Sequence, residues 1–277
     1  MEMFALVFSV MLQILMATIG IYKKCNGVKE YGIVGDYKRG KDVLTKYVVS
    51  LQIAPDEDFD KEFGFHHVCA GSIISAKVIL TAATCTEKLA LKNRKVDDLL
   101  VIIGTPIRLQ RGPTTQVRKI KEIKMQPNFE FSHSQEIADY DVALVVLFQA
   151  IEIDRLSADI IPLTKRPPRR DMPCTVIGWW RVYTGGPVTD EILHIDINID
   201  SIRDCNQLYA VQLEQSVCIT AEKFKDFGTC TDDSGGPLIC EGILLPTLWA
   251  SVDGKGPMRR FRDVRKCLSS FKVVEFD

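Results

Sequence analysis

Apolar residues recur along this chain in short bursts separated by Gly, Pro and Asp. The sharpest pattern is Leu193-His194-Ile195-Asp196-Ile197-Asn198-Ile199-Asp200, which alternates apolar and polar at every step. A two-residue period predicts a strand with one buried face and one wet face. His194 falls on the wet face and is expected to be solvated. Residues 47–53, 73–81, 99–105, 142–148 and 242–249 are also β-rich. Short strands with turn residues between them, and little helical periodicity, predict an all-β barrel or sandwich. The Pro/Arg-rich stretch Lys165 to Arg170 reads as a linker between two halves, and Phe261 to Phe271 as a short helix.

One stretch departs from this pattern. Phe4 through Ile19 carries no charge; Thr18 and Gly20 are small residues at cleavage spacing, and Lys23-Lys24 follow. Its length and flanks fit a secretory signal peptide over residues 1–20 better than a membrane anchor, although no Lys or Arg precedes it. No second long apolar run follows, so the mature chain is expected to be soluble, secreted and extracellular, with no membrane partner. Export changes how the nine cysteines are read. All lie beyond the leader and are expected in disulfides, and an odd number leaves at least one over. There is no Asn-x-Ser/Thr acceptor. Hydrophobic residues, at 46%, suffice for a core, and the formal charge of −1 gives no general pull toward nucleic acid or membrane.

The candidate chemistry centres on Cys230-Thr231-Asp232-Asp233-Ser234-Gly235-Gly236-Pro237. A serine on a turn tight enough to need two glycines, beside exposed backbone groups, is how a chain presents a covalent nucleophile. This stretch resembles the nucleophile loop of the trypsin/chymotrypsin-like serine peptidases, with Ser234 in the nucleophile position. Further segments follow in the family's order. Val68-Cys69-Ala70-Gly71-Ser72-Ile73-Ile74 leads into Leu80-Thr81-Ala82-Ala83-Thr84-Cys85, like the first-barrel cysteine loop. Asp141-Val142-Ala143-Leu144 matches the buried aspartate and its strand, and Cys174-Thr175-Val176-Ile177-Gly178-Trp179 the start of the second barrel.

The resemblance covers residues 33–271. It implies a trypsin-like domain over 33–272, all-β, with two six-stranded antiparallel Greek-key barrels (about 33–160 and 171–260) and a short C-terminal helix. Residues 21–32 then form a short pro-like segment. The resemblance also implies the bridges Cys69–Cys85, Cys174–Cys240 and Cys205–Cys218. The loop from Trp249 to Pro257 lacks the usual partner of Cys230, so Cys25, Cys230 and Cys267 stay unassigned, with an intermolecular bridge or another pairing open.

The implied catalytic remnants are Asp141 and Ser234. The position of the family's histidine, directly before the second cysteine of the first-barrel loop, holds Thr84. A hydroxyl does not titrate near neutrality and cannot be the base that acyl transfer requires. Asp232 stands where the family has the oxyanion-hole glycine, and a carboxylate there repels the developing negative oxygen. Gly32 precedes Ile33 where trypsin-like activation needs Arg or Lys; cleavage after Lys29 leaves Glu30-Tyr31-Gly32 ahead of Ile33. Leu248-Trp249-Ala250 replaces Ser-Trp-Gly, and Gly228 floors a substrate pocket without a carboxylate, so the pocket at Gly228 and Trp249 is expected to take apolar groups.

Among the histidines, His67 matches a residue that in zymogens holds the acid before the nucleophile together with a serine. The implied zymogen-like lock is Ser50, His67 and Asp233, against the plainer reading of a packed barrel histidine. His133, before Asp141, is the weakest alternative base. Nothing calls for a metal or cofactor.

These features imply a secreted, catalytically inactive serine protease homologue acting by binding or regulation, with an unknown protein partner: an active protease, its substrate or its inhibitor. A weak or atypical serine endopeptidase is the first alternative. A polyanion-binding module is the second, resting on Arg259, Arg260, Arg262, Arg265 and Lys266 and on Arg118, Lys119, Lys121 and Lys124. If 261–271 is helical, Arg262, Arg265 and Lys266 share a face.

Overall fold

The computed structural model describes residues 38–39, 42–54, 62–90, 95–132, 137–163, 169–179, 188–199, 216–219, 235–241, 243–245, 249–251 and 259–262. In chain order the strands are β1 (Lys38–Arg39), β2 (Val48–Ile53), β3 (His67–Ser75), β4 (Val78–Thr81), β5 (Leu99–Ile103), β6 (Gln116–Met125), β7 (Glu130–Ser132), β8 (Ile137–Asp139), β9 (Ala143–Leu147), β10 (Pro173–Gly178), β11 (Leu193–Asn198), β12 (Ser216–Ile219), β13 (Leu238–Cys240), β14 (Ile243–Leu245), β15 (Trp249–Ser251) and β16 (Arg259–Arg262).

The first half closes into a six-stranded barrel in the order β2-β3-β4-β9-β6-β5. Its strands are antiparallel throughout. The sequence explains why it closes. β2 reads Val-Val-Ser-Leu-Gln-Ile and is buried along its whole length, as are β4 and β5. β-Branched residues suit such strands, and closure removes the exposed sheet edges. Ile73, Ile79, Val101, Leu144 and Val145 pack at the centre of this core.

The second half contributes a five-stranded sheet, β1-β11-β10-β13-β14, and a three-stranded sheet, β12-β16-β15. The implied trypsin-like architecture therefore stands, with the closure of the second barrel depending on residues outside those described.

Several expectations need correction. The β-rich stretch 73–81 is two strands, because the chain turns at Ala76-Lys77 and pairs Ser75 with Val78. A turn uses the same apolar residues on both sides, so composition alone does not reveal it. An eight-residue helix, Ala83–Ala90, begins at the cysteine loop although the sequence showed little helical period. Phe261 and Arg262 lie on β16, paired with β12 and β15, so the C-terminal helix does not begin there; residues 263–271 are outside the described set. His194 is 2% exposed rather than solvated. Asp196 and Asn198 on the same face are exposed, but at His194 the sheet continues into β1, which pairs Lys38 with His194.

Arg108 ties the two halves together. The loop after β5 lies along residues 188–192: Arg108 N donates to Asp190 O at 2.7 Å, and Ile192 N to Pro106 O at 2.9 Å. The guanidinium is buried and donates to Gly64 O, to Thr189 O and Val188 O at 3.3 Å each, and to Asp190 Oδ1 at 3.3 Å. Burial pulls its pKa below the ordinary arginine value, partly offset by the charge of Asp190. It remains a cation, as arginine does in proteins. Arg108→Met keeps the stem but leaves three carbonyls short of a donor, and is expected to lower unfolding stability by about 2–3 kcal/mol in urea melts. Arg108→Lys recovers only part of this, because an ammonium lacks the planar fork.

Candidate functional site

Asp141 enters the site on a tight turn between β8 and β9. Tyr140 has a φ of 52°, and Val142 N donates back to Tyr140 O at 2.7 Å. This turn points Asp141 into the barrel end, where it is 1% exposed. Thr84 is the second residue of the helix Ala83–Ala90, so its N–H is one of the first-turn donors that the helix cannot satisfy itself. Asp141 satisfies it. Thr84 N donates to Oδ1 at 2.7 Å, and Thr84 Oγ1 donates to Oδ2 at 3.0 Å. A carboxylate is also the charge that a helix N-terminus favours. The two side chains are thus brought together as the motif spacing implied, and the Thr84 hydroxyl proton is committed to Asp141.

The Cys69–Cys85 disulfide fastens the start of this helix to β3, and Cys174–Cys240 joins facing residues of β10 and β13. Cys205 lies outside the described residues, so the Cys205–Cys218 pairing does too.

Ser234, Asp233, Asp232, Gly228 and His133 also lie outside the described residues. Of Trp249 only the backbone is described, on β15 opposite Phe261. The nucleophile loop is nevertheless located at its end. Gly235 has a φ of 89°, and a Cβ on it would run into Ala70 O and Thr81 Oγ1. Those two atoms are themselves bonded, Thr81 Oγ1 donating to Ala70 O at 2.8 Å. Only glycine fits so close to the backbone at positive φ. The residue after Ser234 is therefore seated on the first barrel, three positions from Thr84.

A second polar group lies nearby. Ser50 Oγ and His67 Nδ1 are 2.7 Å apart, and Gln52 Nε2 donates to Ser50 Oγ at 3.0 Å. The His67 ring stands edge-on to Trp179, centroids 5.6 Å apart, and Trp179 Nε1 donates to Pro106 O at 3.1 Å. Gln52, Ser50 and His67 thus form one hydrogen-bonded chain. The resemblance implies Ser50 and His67, whereas the contacts of Gln52 and Trp179 with them come from the fold. The signal for Gln52 was there: Ser50 and Gln52 are two polar residues at i and i+2 inside an otherwise apolar strand, and a buried polar side chain needs a partner.

The chemical inventory among the described residues is short. A buried carboxylate faces a hydroxyl and a helix N-terminus, with no imidazole in that pairing. No cluster of three metal-ligating side chains occurs among the described residues.

Comparison with known proteins agrees with this geometry. The trypsin family pattern matches residues 34–255. The chain is 25% identical over 213 residues to duodenase-1 of Bos taurus, spanning 76% of this chain and 78% of that protein. It is 28% identical over 198 residues to kallikrein 1-related peptidase b16 of Mus musculus, spanning 69% and 72%. Among solved structures, mouse neuropsin, a serine protease expressed in the limbic system of the brain, superposes with a TM-score of 0.66 at 19% identity, covering 84% of this chain and 96% of that one. Human heparin binding protein superposes with a TM-score of 0.63 at 20% identity, covering 85% and 95%. At those identities the two structures speak for the fold. With the closed first barrel, the Asp141 turn and Gly235 packed against Ala70 and Thr81, this chain belongs to the trypsin family of serine proteases.

Proposed function

We propose that this protein is a secreted member of the family that has lost peptide hydrolysis and acts by binding another protein. One observation carries the reading: the residue that closes on Asp141 is Thr84, and its hydroxyl spends its proton on Oδ2. A serine nucleophile needs a group that accepts its proton near neutral pH, and threonine is not one. The sequence departures at Asp232, Gly32, Leu248 and Ala250 support the same conclusion from independent parts of the apparatus. Two disulfides and the leader-like stretch 1–20 support secretion.

The Ser50–His67 pair supports a zymogen-like arrangement of the loop. In this reading His67, engaged by Ser50, is the residue that holds Asp233. Partners that recognise the outer loops of an active protease, or an active protease itself, are the class this reading names.

A fluorophosphonate probe tests it directly. The purified mature protein is expected to show no labelling above that of Ser234→Ala. Labelling that disappears in Ser234→Ala would instead establish the weak-hydrolase alternative.

A further inference from the structure

The basic run on β6 does not survive as a unit in the fold. Arg118 is spent: its guanidinium donates to Ala150 O at 2.9 Å and to Gln116 Oε1 at 2.6 Å, and pairs with Glu152 at 3.7 Å. Lys124 pairs with Glu122 at 3.3 Å. Lys119 and Lys121 are exposed, and no carboxylate among the described residues pairs with either.

A β-bulge organises this strand. β6 pairs Ile120 with Leu147 but Glu122 with Val146, so one extra residue, Lys121, is accommodated between them. A regular strand would send Lys119 and Lys121 to one face and Lys124 to the other. With the bulge, Ile120 and Ile123, three apart, both turn to the core, and Lys119, Lys121 and Lys124 lie outside it.

A third unpaired lysine joins them from far away in sequence. The end of β9 runs between β6 and the β3–β4 turn: Leu147 N donates to Lys77 O at 2.9 Å, and Phe148 N donates to Lys119 O at 3.1 Å. Phe148, 57% exposed, is therefore paired with Lys119, and the residue before it with Lys77 on the β3–β4 turn. Strand spacing puts each flanking backbone about 4.8 Å away. Lys77 is likewise exposed and without a carboxylate partner among the described residues.

We propose that this face of the first barrel docks an acidic protein segment that carries an aromatic or aliphatic side chain, the carboxylates meeting Lys77, Lys119 and Lys121 and the apolar group covering Phe148. The proposal rests on the binding reading above and names the surface and partner chemistry for it. Charge complementarity selects the acid. Phe148 separates a protein segment from a sulfated polysaccharide, which has no apolar group for an exposed ring to cover. A membrane surface calls for a helix with a wide apolar face, whereas this face belongs to a strand that carries exposed lysines.

The test uses the full mature protein and a fluorescein-labelled copolymer of glutamate and tyrosine, read by anisotropy. Binding is expected to weaken at least about tenfold between about 50 mM and about 500 mM NaCl, because exposed charges are screened. Lys77→Gln/Lys119→Gln/Lys121→Gln is expected to weaken binding about tenfold at low salt and flatten the salt dependence. Phe148→Ser, at an exposed position that leaves the fold intact, is expected to weaken binding about tenfold at both salt concentrations. Absence of binding overturns the proposal, as does a triple variant that binds like the parent. Heparin binding that Phe148→Ser leaves unchanged, with no preference for the copolymer, marks a charge-only surface and also overturns it. So does capture by phosphatidylserine vesicles without copolymer binding. The fluorophosphonate assay reads Ser234 and not this face, so failure of either result leaves the other interpretable.

Discussion

Peptide ester and amide substrates are expected to turn over about a million-fold more slowly with this protein than with a family member that has an intact triad. That factor is the cost of removing the triad base, about 8 kcal/mol of barrier. The structure says why Thr84 offers no compensation. Its hydroxyl points at Asp141 Oδ2, 3.0 Å away, and its backbone N–H fills Oδ1. Both carboxylate oxygens of Asp141 thus accept from Thr84. Thr84→His restores a base on a helix start that already holds Asp141 through its backbone, so a measurable gain in ester hydrolysis is expected. The gain is expected to fall short by roughly 10²–10³-fold, because in the sequence Asp232 stands where the family has its oxyanion-hole glycine. Thr84→His/Asp232→Gly is expected to recover part of that gap, and steady-state kcat/KM across the three proteins reads the two steps separately. A parent protein within about tenfold of a normal protease would defeat the non-catalytic reading.

Asp141→Ala is expected to lower unfolding stability by about 3–6 kcal/mol, through the loss of two hydrogen bonds to a buried charged acceptor at about 1.5–3 kcal/mol each. In a working protease the phenotype of such a change is lost turnover. Here Asp141 acts instead as the N-terminal acceptor of the helix Ala83–Ala90. The change strands the Thr84 N–H and hydroxyl in a buried site, and the helix start and its Cys85 anchor move with them. Thr84→Val keeps the Oδ1 bond and loses only the hydroxyl, so it is expected to cost roughly half as much. Urea titrations with unchanged m-values would check both. An Asp141→Ala protein as stable as the parent would show that the carboxylate contributes nothing to the fold.

Much of this was legible before any coordinates. Alternation and β-branched runs locate strands because side-chain direction in a strand repeats every two residues, a strictly local property. The cysteine loop, Asp141 with its strand, and the Ser-Gly-Gly turn are contiguous motifs, so the family and the substitution at Thr84 are visible in one dimension. What stayed hidden depends on contacts between residues far apart in the chain. Ala76-Lys77 turns β3 back on β4 with no change in hydrophobicity to announce it.

His194 is buried although its strand pattern makes it wet, because alternation reports side-chain direction and not what distant segments bring against it. Arg108 reaches Gly64 and residues 188–190, and no local pattern marks an arginine for the interior. The lysine run on β6 was visible, but its partition was not: a bulge set Lys119 and Lys121 outward, pairing removed Arg118 and Lys124, and Lys77 arrived from another hairpin. By itself the sequence determined the family, several of the strands and the threonine that stands before Cys85, since each is written in neighbouring residues. Only the tertiary structure decided which polar groups are spent on one another and which remain for a partner, because that follows from strand register and the meeting of distant segments.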